Sequence, residues 1–115
     1  MFLTKQDHPR AYLLGIDKKA KDWTVLDSLT ELAQLAQTAD LKVVGESIQI
    51  RIIPQYKFYF GKGKIAELKN IFLEKKVEVV ITDDELTPIQ QKNLEEFLGL
   101  KVLDRTALIL AIFAL

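Results

Sequence analysis

Val77-Glu78-Val79-Val80-Ile81-Thr82, followed by Asp83–Leu86 and then Thr87-Pro88-Ile89-Gln90-Gln91, decides the fold. A short run dominated by Val and Ile reads as a buried strand. Thr87 supplies an N-cap oxygen and Pro88 suits the first helical position, where its missing N–H costs nothing. Ile89, Leu94, Phe97 and Leu98 line one face of that helix, and Gly99 ends it. Lys101–Leu103 follows as a short strand. A strand, a helix and a second strand in direct succession make a βαβ unit, whose strands run parallel.

The pattern repeats outward. Ala11–Ile16, AYLLGI, reads as another buried strand, and Asp17–Asp22 as a charged loop. Val25, Leu29, Leu32, Leu35 and Ala36 recur at helical steps after the N-cap candidate Thr24, with Asp27 in the first turn. Lys42–Ile53 reads as a strand bulged at Gly45, and Pro54-Gln55 breaks it. Lys57–Phe60 reads as a short aromatic strand, Gly61–Lys64 as a tight turn, and Ile65–Lys75 as a helix. The last nine residues, Ala107–Leu115, are all apolar and begin a fourth helix, too short to span a bilayer. The expectation is a single three-layer α/β domain over residues 10–115. It has a mostly parallel sheet of four to five strands with helices on both faces, behind a loose lead-in at residues 1–9.

The 115 residues carry sixteen basic and sixteen acidic side chains. That balance supplies no global field for nucleic acid or anionic lipid. Apolar residues are 49% of the chain, which argues against disorder. There is no cysteine, hence no disulfide framework and no thiolate metal site. The N-terminus lacks the pattern of a signal peptide, so a cytoplasmic protein is expected, with no membrane partner.

In an open parallel sheet, ligands bind beyond the carboxyl ends of the strands. Gly61, Lys62, Gly63 and Lys64 fall there. Two glycines let the backbone approach an anion, and two lysines add charge, so a phosphate of a nucleotide or of RNA would suit this turn. It matches neither GxxxxGK[ST] nor GxGxxG, and a plain strand-to-helix turn with solvated lysines is the favoured account. Arg105 is a further phosphate candidate, or one half of a structural ion pair. Asp83, Asp84 and Glu85 are candidates for partner contact, as are Gln90, Gln91 and Asn93 on the next helix; the acids serve as well as partners for the helix dipole. One contiguous loop rarely supplies a metal shell, so no metal is expected. No cofactor is called for. Trp23, Tyr56, Phe58 and Tyr59 could stack bases, while Tyr12 and Phe60 read as core. His8, the single histidine, has no nucleophile and acid to complete a triad.

Taken in order, GIDKKAKDWTVLDSLTELAQLAQTADLKVVG, FGKGKIAELK, ITDDELTPIQQKNLEE and KVLDRTALILAIFA resemble the N-terminal domain of the HflX family of GTPases, over Ala11–Ala114. The resemblance implies a domain that contacts the large ribosomal subunit and restrains a GTPase domain. It also implies a helical hairpin and a P-loop that this sequence does not contain, so the chain itself is expected to be non-catalytic. A small nucleotide-binding module built on Gly61–Lys64 and a dimerising structural domain are the alternatives. Ala107 and Ala111 stand where the family tends to carry Gly and Asp. The tail is thereby more apolar, which makes Leu108, Leu110, Ile112 and Phe113 candidates for packing on the domain or on a second copy.

Overall fold

The computed structural model describes residues 8–19 and 24–114. Residues 1–7 of the expected lead-in, Trp23 with the end of the first loop, and Leu115 lie outside the described residues. In chain order the elements are β1 (Arg10–Asp17), α1 (Val25–Thr38), β2 (Lys42–Ile50), α2 (Lys62–Glu74), β3 (Val79–Thr82), α3 (Pro88–Leu98), β4 (Lys101–Asp104) and α4 (Arg105–Phe113). The four strands form one all-parallel sheet in the order β2-β1-β3-β4.

Side-chain alternation along the strands feeds two cores. Ala11, Leu13, Val79 and Ile81 face Leu29, Leu32 and Ala36 of α1 and Leu108 of α4. Tyr12, Leu14, Ile16, Val80 and Val102 face Ile65, Leu68 and Phe72 of α2 and Leu94 and Leu98 of α3. The chain steps leftward from β1 to β2 through α1 on one face. It then returns past β1 to β3 and β4 through α2 and α3 on the other. A reversal of direction coupled to a change of face is what right-handed crossovers require. The reversal places the topological switch point between β1 and β3.

Glycine decides two close approaches. A Cβ at Gly45 would lie 2.6 Å from the Tyr12 ring. That ring covers β2 where the pairing shifts from Ala11–Val43 to Tyr12–Gly45, leaving Val44 as the extra residue of the expected bulge. A Cβ at Gly15 would meet Val25 at 2.9 Å, so its absence lets α1 sit close on β1.

Three expectations are corrected. Lys57–Phe60 adds no fifth strand: only a single bridge, Gln55 with Tyr59, forms there, and Tyr59 has a φ of 68°. Gly61–Lys64 is not a turn ahead of the helix but its start, with Gly61 as N-cap and Lys62 already helical. The lead-in is tied down at its end, since Pro9 is buried and its carbonyl accepts from the Lys42 N–H at 2.8 Å.

The apolar tail is split by its helix. Leu108 is fully buried and Ile112 packs on the same core, one turn on. Leu110 and Phe113 point outward, 64% and 82% exposed. We therefore expect Leu108→Ala to cost about 2–5 kcal/mol in urea denaturation. Phe113→Ser should stay within about 0.5 kcal/mol in the monomer. Equal losses for the two would mean that both faces of α4 are core.

Candidate functional site at the carboxyl ends of the strands

Because the strands are parallel, their carboxyl ends gather loop residues from four places in the chain. A cleft of about 290 Å³ opens at the switch point, lined by Ile16, Asp17, Lys18, Val25, Ser28, Asp83 and Asp84. Most of its charged groups are paired with one another, while among the described residues the Asp17 carboxylate accepts only the Lys19 backbone N–H at 2.9 Å. The Arg105 guanidinium donates to Asp83 Oδ1 at 2.6 Å, to Glu31 Oε1 at 2.8 Å and to the Ser28 carbonyl at 2.9 Å. The Ser28 hydroxyl donates to Asp83 Oδ1 at 2.8 Å. Asp84 takes the opposite direction: it pairs with the Lys18 ammonium and accepts from the Tyr59 hydroxyl at 2.6 Å.

Arg105 is thus engaged in the structural ion pairs that sequence reading offered as the alternative to a phosphate. As the first residue of α4 it spends its donors binding α1, β3 and α4 together. It does not pair with Asp104, which caps α4 by accepting from the Ala107 N–H at 2.8 Å and takes the Leu86 N–H at 3.0 Å.

Asp84 anchors the aromatic loop. Tyr59 is fully buried in a left-handed backbone conformation, unusual for a bulky residue. Burial above all, and then the neighbouring Asp84 carboxylate, raise its phenol well beyond the ordinary tyrosine range. The proton therefore stays on Tyr59, and the phenol acts as a donor.

Two of the three residues singled out on α3, Gln90 and Asn93, support the same loop. Gln90 completes a capping box with Thr87 and sends its Nε2 to the Gln55 carbonyl at 2.8 Å. Asn93 Nδ2 donates to the Lys57 carbonyl at 3.1 Å, and Gln91 Nε2 to the Val102 carbonyl at 3.2 Å. The carbonyls of Gln55 and Lys57 lie outside the four-stranded sheet, and Gln90 and Asn93 supply partners for them, while Gln91 ties α3 to β4. Sequence reading could not assign these internal partners, which lie 11 to 36 residues away in the chain. Glu85 alone of this group is exposed.

The Gly61–Lys64 segment stands apart from the cleft. The Gly61 N–H donates to Gln49 Oε1 at 2.7 Å, and no side chain caps the helix. Gly63 is open to space, and Lys64 pairs with Glu67 at 2.9 Å. Among the described residues no group of acids and histidine is placed to hold a metal ion. Sequence reading missed a lysine at every seventh position, Lys62, Lys69 and Lys76, which puts three cations on one face of α2 and its end.

Comparisons with known proteins agree on one relationship. The profile of the family described as GTP-binding GTPase N-terminal matches residues 26–114. The GTPase HflX of Caldanaerobacter subterraneus is 43% identical over 95% of this chain, which spans 25% of that protein. The GTPase HflX of Alkalihalophilus pseudofirmus is 39% identical over 97%, spanning 26% of that protein. The chain thus covers about a quarter of the length of these curated relatives. Among solved structures, a GTP-binding protein from the archaeon Sulfolobus solfataricus in complex with GDP superposes with a TM-score of 0.67 at 27% identity. It covers 92% of this chain and 30% of its own.

Replacing Tyr59 by Phe should cost about 1–2 kcal/mol, since Asp84 loses a donor in a partly buried place. The phenol titrates higher in the folded than in the unfolded chain, so its contribution is complete below pH about 10 and is lost as pH rises further. Chemical denaturation across that range should show a steeper alkaline decline for the native chain than for the Phe variant. Identical declines would remove Tyr59 from this role.

Proposed function

We propose that this chain, which belongs to the GTP-binding GTPase N-terminal family, is a non-catalytic interaction domain of the HflX type that docks on the large ribosomal subunit and restrains a GTPase domain. The observation that carries the reading is the 43% identity over nearly the whole chain to a GTPase HflX. The arrangement at the carboxyl ends of the strands supports it. There Arg105, Asp83, Ser28, Asp84, Lys18 and Tyr59 satisfy one another, which makes a rigid scaffold. A general base or nucleophile would instead need a free group aimed at substrate. No described helix is long and apolar enough to cross a membrane. A ribosomal role places the protein in the cytoplasm.

A second reading, self-association through α4, draws on the outward Leu110 and Phe113. Two large apolar side chains on one exposed helix face are the usual material of a small homodimer contact. Sedimentation velocity distinguishes it: a concentration-dependent rise above the monomer mass is expected, and Phe113→Ser should abolish it. A monomer at every concentration would dispose of the dimer.

For the ribosomal reading, the chain should co-sediment through a sucrose cushion with large subunits and not with small ones. The bound fraction should fall as salt rises, as phosphate contacts demand. Absence of binding, or equal binding to both subunits, would overturn it.

A further inference from the structure

A seam runs between α2 and α3, on the face of the sheet opposite Arg105. Lys62, Ala66, Lys69, Leu73 and Lys76 are spaced four and three residues apart, so they form one stripe along α2 and just past its end. Lys62 and Lys69 stand two turns apart, about 10 Å along the axis. The stripe contains no acid. Glu67 and Glu74 of the same helix lie off it, and Glu67 is engaged by Lys64. On α3, Glu96 faces Lys92 at 3.9 Å, and Glu95 accepts from the Val102 N–H. Among the described residues no carboxylate lies within 4.0 Å of Lys57, Lys62, Lys69 or Lys76.

Aromatic rings hold three of these lysines. Lys57 lies over Tyr56 at 5.5 Å, Lys62 over Phe58 at 5.8 Å and Lys69 over Phe97 at 4.9 Å. Phe58 and Phe97 meet edge to face at 6.0 Å, so the last two pairs share one floor. Such a ring restrains an ammonium without neutralising it. Lys69 and Lys76 then flank a small apolar groove of about 100 Å³ floored by Phe72, Val77, Leu98 and Leu100. The result is a line of three cations without ion-pair partners among the described residues, Lys62, Lys69 and Lys76, with Lys57 and the 69% exposed Tyr56 on the adjoining loop. The loop and helix start at residues 51–64 hold Arg51, Lys57, Lys62 and Lys64 and no acid, in a chain whose total charge is zero.

We propose that this seam is a docking track for an RNA strand, with Lys57, Lys62, Lys69 and Lys76 meeting phosphates and Tyr56 stacking on a base. The proposal rests on the ribosomal reading above and names the surface through which that contact is made. A linear polyanion fits a line of cations spaced by helix turns. The groove is too small for the apolar face of a partner helix. The lysines also interrupt the apolar surface that a bilayer would need. Sequence-tolerant binding of single strands uses this combination of charge and exposed rings.

The test measures anisotropy of a labelled single-stranded RNA of about 12 nucleotides against the full chain over a salt series. Lys62→Gln with Lys69→Gln and Lys76→Gln should weaken binding at least about tenfold and lower the salt slope by about 2. A control of equal charge loss, Lys19→Gln with Lys42→Gln and Lys101→Gln, should leave both within about twofold. Tyr56→Ala should weaken binding by about tenfold with the slope unchanged. Equal effects of the two triple variants would overturn the proposal. So would competition by polyglutamate as strong as by RNA of equal charge, or retention by phosphatidylglycerol vesicles in place of RNA.

Sedimentation of the same variants with large subunits separates the two claims. A seam variant that binds subunits like the native chain overturns the track and leaves the ribosomal reading intact. A native chain that binds RNA through the seam but no subunit upholds the track and overturns that reading.

Discussion

Two adjacent carboxylates at the end of the central strand β3 hold the layers of this domain in place. Asp83 binds Arg105 and Ser28, which join α1 to α4 on one side. Asp84 binds Tyr59 and Lys18, which tie the aromatic loop to the end of β1. Because β3 is short and interior, residues just past its end reach elements on both sides of the sheet. The sharing of Asp83 between a guanidinium and a hydroxyl keeps a charged pair satisfied where water is largely excluded. For a partly buried pair of this kind the desolvation cost offsets much of the attraction, so its net contribution to stability is modest.

Much of the architecture was legible because local chemistry and global fold agree. Thr87, Pro88 and Gly99 bound α3 as capping rules require, and Gly45 marks the bulge. Two local rules misled. Aromatic enrichment at Lys57–Phe60 reads as strand, yet these residues turn back on Gln55, and the buried Tyr59 and Phe60 stack on each other. Glycines at 61 and 63 read as a turn, yet an N-cap and the first turn of a helix tolerate them. In both cases the deciding contacts come from distant residues: Gln90, Asn93 and Asp84 for the loop, Gln49 for the helix start.

The candidate site was legible in position but not in role. Parallel topology alone directs attention to the strand ends, and Asp83, Asp84 and Arg105 do meet there. Their mutual satisfaction is a three-dimensional fact that residue type cannot report. The lysine stripe, by contrast, is written in the sequence at a seven-residue interval. It is hidden by a chain-wide charge of zero, because charge matters locally, over roughly a Debye length.

The bulge at Gly45 has one more consequence. β2 is a nine-residue edge strand, long enough to recruit a foreign strand into the sheet. The extra residue bends its start, and the exposed Lys42 and Glu46 interleave charge along it. At the far edge β4 offers only four residues. A bent, charge-interrupted edge on one side and a short one on the other disfavour the addition of a foreign strand. The geometry that seats one tyrosine ring also shapes the exposed edge of the sheet.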